Sequence, residues 1–483
     1  MSFRALKVLL VVALGTQSGM QPAQAQPVAS FDPETGQFEL RDGGELRLVA
    51  SVSLTLHGKA LAPDSLESYV QFSQEQQVGP NGAATLEFRW TCVNLPEASV
   101  VLQGEITGRD AFPCTPREHQ GAFIRLASGF SHNRLNSGVY ARRDDWALDF
   151  PVPDSVDVYH LSHEGKHDKI QVLATGNPLV LHYKPDYFRL HLGRRYFRPR
   201  EFEIWGEPVS GWISWKAYGA RVTQEDIQRA TEWCARKLRR FGLGAIILDD
   251  GWFVGSNGSA LYHVPENVDW TRGNERFPDG MPALADFIHQ RGIKAGIWLS
   301  PFGISNTRIM AEHPDWWVRQ YPGGPWATSH SGWHGPYFAD GSVDAALTGW
   351  ILPGLLAMRD AGFDLFKIDG QMHVAHEAYA SAEPYFAAKG LTWQQAYRHA
   401  WRTIADSLPG RFLLSCWSRI PENIGNPHAI RIGGDKDAGW ERGPLPAAYD
   451  LARYLLEHNI CWIDDPDHMV LSRSDLSVAR SQS

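Results

Sequence analysis

The chain has five cysteines in 483 residues, with no CxxC pair and no HExxH. That is too few for a disulfide scaffold, and the spacing a zinc site needs is missing, so neither a metal nor any other cofactor is expected. Cys92 and Cys114 stand in the same N-terminal region and are candidates to pair in an oxidising compartment. Cys416 and Cys461 fall in apolar strand-like runs and read as buried thiols or pocket lining. Basic excess is also missing: 46 Lys and Arg stand against 54 Asp and Glu, a net charge of -8, which argues against nucleic acid as a partner. No Gly-rich phosphate fingerprint follows a strand, which disfavours an open dinucleotide-binding sheet. No apolar run is long enough to span a bilayer, so no membrane span is expected.

What is present divides along the chain. Arg4 and Lys7 precede the apolar run Val8 to Leu14, and Ala23-Gln24-Ala25 supplies small residues at cleavage spacing. Residues 1–25 therefore read as a secretory signal peptide, and the protein as exported, periplasmic or extracellular. From 26 to 202, short alternating bursts such as Ser51 to Leu56, Thr85 to Trp90 and Leu179 to Tyr183 are separated by Gly, Pro, Asn and Asp clusters. This is the pattern of an antiparallel β-sandwich.

From 203 to 483 the texture changes to apolar strands alternating with amphipathic helices, predicting an α/β domain and a (β/α)8 TIM barrel. The expected strands are Gly211 to Trp215, Gly244 to Leu248, Lys294 to Leu299, Asp364 to Ile368, Phe412 to Trp417, Ala429 to Gly433, Ile460 to Ile463 and His468 to Leu471. Thr223 with Asp226 three residues on predicts a capped helix start. The stretch after Pro301, with His313-Pro314-Asp315-Trp316-Trp317 and several glycines, reads as a loop over a binding site.

The organising stretch is Asp364-Leu365-Phe366-Lys367-Ile368-Asp369-Gly370. Residues two apart on a strand point to the same side, so Lys367 and Asp369 would both face the mouth of the barrel. The other strand ends would deliver Asp249, Asp250, Cys416, Arg431, Asp435 and Asp465 to the same rim. Two carboxylates on different strands suit glycoside hydrolysis, one attacking the anomeric carbon and one protonating the leaving oxygen. Asp369 is the candidate nucleophile, with Lys367 helping to keep it ionised. Asp435 and Asp437 both qualify as the acid/base. Asp249 and Asp250 would accept hydrogen bonds from sugar hydroxyls, with Trp252 as an apolar platform.

These residues carry a family resemblance. Gly211-Trp212-Ile213-Ser214-Trp215, the run Leu248-Asp249-Asp250-Gly251-Trp252-Phe253, Arg276 to Gly280, Phe366-Lys367-Ile368-Asp369 and the segment Arg431 to Asp435 resemble the α-galactosidases (melibiases) of glycoside hydrolase families 36 and 27. The resemblance implies a retaining mechanism through a covalent glycosyl-aspartate, acting on terminal α-linked galactose. It implies Asp369 as nucleophile and Asp435 as acid/base, with Asp249 and Asp250 on the galactose 4- and 6-hydroxyls. Lys367, Cys416 and Arg431 would line the same pocket. Transfer to another sugar, an α-N-acetylgalactosamine or β-L-arabinopyranose glycone, and a non-catalytic carbohydrate-binding protein are the alternatives. Relatives of family 36 are often homo-oligomers. The sequence departs from the family just after the nucleophile, where Gly370-Gln371 stand.

Overall fold

The computed structural model describes residues 27–470, apart from 110–122, 128–136, 142–143, 165–166, 199–208, 331, 418–419, 455–456 and 459. The expected signal peptide, Cys114 and the boundary near residue 202 lie outside the described residues.

The N-terminal half is two antiparallel sheets packed face to face. One orders its strands Val28–Asp32, Gln37–Asp42, Glu45–Leu56, Ala98–Arg109, His167–Gly176 and Ser155–Glu164. The other orders Val70–Val78, Ala84–Cys92, Leu179–Pro185, Trp146–Phe150, Ser137–Ala141 and Phe123–Ala127. Period-two alternation makes this work: Leu48, Ala50, Val52 and Leu54 face inward from one strand while Ser51 and Ser53 face solvent. They meet Phe88, Trp90, Leu181 and Tyr183 of the opposite sheet in one apolar core. Cys92 is a buried thiol in that core.

The C-terminal half is one parallel sheet of seven strands. They are β1 (Gly211–Ile213), β2 (Ala245–Leu248), β3 (Lys294–Leu299), β4 (Leu365–Ile368), β5 (Phe412–Cys416), β6 (Ala429–Arg431) and β7 (Ile463–Asp465), paired in that order. The longer helices between them, among the described residues, are α1 (Gln224–Lys237), α2 (Gly280–His289), α3 (Leu352–Asp360), α4 (Trp393–Ser407) and α5 (Pro444–Tyr454). Helix α1 starts at the expected capping box, in which Thr223 accepts from the Asp226 amide and Asp226 accepts from the Thr223 amide. Helix α4 has the same device at Thr392 and Gln395. The apolar faces of α1 to α4 cover the sheet, and β2 to β4 are buried along nearly their whole length, as a parallel sheet requires.

Two strand expectations are corrected. The seventh strand is Ile463–Asp465 rather than Ile460 to Ile463, because Ile460, Cys461 and Trp462 are used elsewhere. They pack with Ile424 and Ile430 against Tyr140, Ala147, Phe188 and Phe197, forming the apolar contact between the parallel sheet and the sandwich. Arg194 and Glu457 add an ion pair across it at 2.7 Å. The segment His468 to Val470 has no strand, and Leu471 is not among the described residues. Among the described strands β1 and β7 do not pair, and a cavity of ≈ 600 Å³ lies between them, lined by Trp212, Leu365, Phe412 and Ile463. No helix among the described residues is long and apolar enough to cross a membrane.

Candidate active site

Parallel pairing sets every strand's C-terminal end on one rim, so residues far apart in sequence converge there. Asp249, Asp250, Lys367, Asp369, Cys416, Arg431 and Asp435 line one cavity of ≈ 90 Å³. They come from the ends of β2, β4, β5 and β6 and the turns just beyond.

Asp369 is half-buried in the wall of this cavity. Its Oδ2 accepts from the Trp298 indole N–H at 2.9 Å and its Oδ1 from the Gly370 amide at 2.7 Å. Burial pushes this carboxyl up, but His334, Lys367, Arg431 and the Trp298 hydrogen bond outweigh it and hold it below the ordinary carboxylate range. His334 is itself pushed down by burial, with the Asp369 charge opposing, so Lys367 and Arg431 are the permanent cations beside it. Lys367 reaches the buried Asp249 at 2.9 Å. Burial opposes its charge, and Asp249 is the main group that reverses this, leaving the ammonium firmly protonated.

Asp250 is different. Burial raises its carboxyl to about 7, opposed by the Leu261 N–H and reinforced by Asp249 and Asp369. Its Oδ2 accepts from Leu261 at 2.7 Å, while Oδ1 is buried with no partner. A buried oxygen of this kind, on a cavity wall, is placed to meet a ligand donor. Burial likewise keeps the Cys416 thiol protonated beside Asp369.

Of the two acid/base candidates, the pocket holds only Asp435. Arg431 bonds it, and its side chain is 60% exposed at the rim, accessible to a leaving group. Arg431 is itself fixed by the Gly433 carbonyl at 3.0 Å and by Asp467 at 3.3 Å. Asp437 is outside the pocket, bonded to Arg442 and 3.7 Å from Lys216. The Ala438 amide, then Arg442, lower its carboxyl, the wrong direction for a proton donor. Asp465, expected at the same rim, is corrected: it is half-buried, lines the cavity beside β7 instead of this one, and accepts from the Asp467 amide at 2.9 Å.

Trp252 is corrected. It is 0% exposed, inside the core, with its N–H on the Trp298 carbonyl at 2.8 Å, so it offers no face to a sugar. The turn at Gly251, with φ +118, sends the chain inward, and a Cβ there would lie 2.4 Å from the Ala220 carbonyl. Aromatic pocket walls come instead from Trp215, Trp298, Trp333 and Trp417. Trp298 was legible only as a strand residue. Trp333 and His334 come from the glycine-rich segment expected to lie over the site. Gln371, two residues after the candidate nucleophile Asp369, is fully buried; its amide donates to the Asp369 carbonyl at 3.0 Å and accepts from Tyr397 and Trp401.

Comparison with known proteins places this geometry in context. Residues 187–329 match the Melibiase family model. The chain is 33% identical over 109 residues to Alpha-galactosidase 2 of Pediococcus pentosaceus, covering 22% of this chain and 14% of that protein. It is 26% identical over 217 residues to Alpha-galactosidase AgaA of Geobacillus stearothermophilus, covering 41% of this chain and 26% of that protein. The matched region thus spans well under two thirds of the length of these relatives. Among solved structures, the Thermus thermophilus α-galactosidase TtGalA in complex with stachyose is 19% identical, with a TM-score of 0.44, covering 85% of this chain and 92% of that one. In sequence the chain resembles the α-galactosidases, as its motifs implied.

Proposed function

We propose that the chain is an exported, retaining glycoside hydrolase that removes terminal α-linked galactose from oligosaccharides or glycoconjugates, on a (β/α)8-type catalytic domain. The observation that carries this reading is the contrast between two carboxylates in one pocket. Asp369 is half-buried, ionised and held by Trp298 and Gly370, while the Asp435 side chain is 60% exposed at the rim. The first suits a nucleophile and the second a proton shuttle.

In the first step an Asp369 oxygen bonds to the anomeric carbon as the glycosidic C–O bond breaks. The departing oxygen takes its proton from Asp435. In the second, Asp435 takes a proton from water as that water's oxygen bonds to the anomeric carbon, and the ester to Asp369 breaks with its electron pair returning to the carboxylate. Two displacements at one carbon retain its configuration. Cationic Lys367 and Arg431 favour the return of negative charge to Asp369. Asp249 and Asp250 supply acceptors for sugar hydroxyls.

Release of p-nitrophenol from the aryl α-galactoside by the parent, with loss of at least roughly 10³-fold in Asp369→Asn, is the expected result. NMR of the first-formed sugar should show the α-anomer. Equal rates in parent and variant, or a β-anomer formed first, would overturn the assignment.

A further inference from the structure

The proposed reaction leaves a buried histidine in the pocket unused. His334 is 4% exposed and lines the cavity, yet its Nδ1 is buried without a partner, and neither ring nitrogen makes a hydrogen bond among the described residues. The position is elaborately held. The backbone is left-handed there, with φ 56, which a residue bearing a Cβ adopts only at a cost. The His334 amide donates to the Tyr262 carbonyl at 2.8 Å. Two glycines make room for it: a Cβ on Gly303 would fall 1.7 Å from the His334 carbonyl oxygen, and one on Gly370 would fall 2.7 Å from its Cβ. The ring lies 5.9 Å from the Trp298 ring, whose N–H holds Asp369.

Packing alone does not account for an imidazole here, because an apolar side chain would pack without leaving a buried nitrogen unpaired. Buried polar atoms in native proteins find partners, and the side chain that carries this one lines the cavity. We propose that His334 is a substrate-binding residue whose imidazole hydrogen-bonds a hydroxyl of the glycone beside Asp369 and fixes the ring for attack. Burial favours the neutral imidazole, in which one ring nitrogen donates and the other accepts, and either suits a hydroxyl. This inference rests on the glycosidase reading for the identity of its ligand, a pyranose with free hydroxyls.

The test measures kcat/KM of parent, His334→Phe and His334→Gln on p-nitrophenyl α-galactoside and its 2-, 3-, 4- and 6-deoxy analogues. Phenylalanine keeps the ring and removes both nitrogens. Loss of one neutral hydrogen bond predicts about a tenfold fall on the full substrate. The same fall should appear on three of the analogues and vanish on the one lacking the contacted hydroxyl. An equal fall on every analogue, or no fall at all, would overturn the proposal. The glutamine variant keeps a donor and an acceptor and should retain more activity than the phenylalanine variant; equal losses in both would overturn the proposal. A second readout does not need turnover: galactose should shift the ¹⁵N resonance of the His334 ring in the parent. A shift without turnover would refute the glycosidase reading and leave the contact standing, whereas turnover with an unmoved resonance would refute the contact.

Discussion

Replacing Asp250 with asparagine should stabilise the protein at alkaline pH and do nothing to its stability in acid. Asp250 is buried, with one oxygen on the Leu261 amide and the other unpartnered. Its carboxyl rises from the ordinary 3.8 to about 7, chiefly because burial disfavours the charged form. A group whose folded value is raised adds stability that is fully present below its unfolded value, here about 4, and is lost as pH rises through about 7. At about 1.4 kcal/mol per pH unit across that window, the parent loses about 4 kcal/mol that the neutral amide does not. Asparagine has the same shape and can still accept from Leu261, so no cavity or clash confuses the comparison. The assay is urea unfolding of parent and Asp250→Asn at intervals from pH 4 to 8. The difference should start near zero and grow to about 4 kcal/mol in favour of the variant. Asp145, also raised to about 7 by burial, is present in both proteins and cancels. A difference that stays flat across this range would refute the reasoning. The same variant should be a poorer enzyme, having exchanged an acceptor oxygen for a donor, so stability and activity would move in opposite directions.

Other perturbations test separate parts of the structure. Lys367→Met should cost about 3–5 kcal/mol in chemical denaturation because it strands the buried Asp249 charge, and Lys367→Met with Asp249→Leu should recover most of that loss; a double variant no more stable than the single would contradict this. Gln371→Leu should cost about 1–3 kcal/mol and lower kcat more than it raises KM, since its amide steadies the backbone of Asp369, the proposed nucleophile. Thr223→Ala, far from the pocket, should cost about 1 kcal/mol in thermal or chemical unfolding with kcat unchanged.

Much of this was legible before any coordinates. Alternation in Glu45–Leu56 marks a half-buried strand because successive side chains point to opposite faces. The Thr223 and Asp226 pair marks a helix start because each satisfies the other's amide. Strand-end chemistry at Asp249, Lys367, Asp369 and Arg431 was legible because parallel strands all end on one side. These are local rules, and they needed only neighbours in sequence.

What the tertiary structure decided were matters of direction and competition. Trp252 follows two pocket aspartates in sequence, yet one glycine turn carries it into the core. Ile460 to Trp462 has strand-like composition, but the sandwich takes those side chains and the strand forms three residues later. Asp435 and Asp437 are equal candidates in the chain, and only one reaches the pocket because Arg431 bonds the first and Arg442 the second. His334 carried no signal at all, since its meaning comes from lying against Asp369, which is close in space and distant in sequence. The sequence by itself determined most of the strands and helices and brought Asp249, Asp250 and Asp369 to the strand ends, because backbone periodicity and capping act over a few residues. Only the packed structure determined which side chains face the cavity, because that depends on which neighbours compete for the same space.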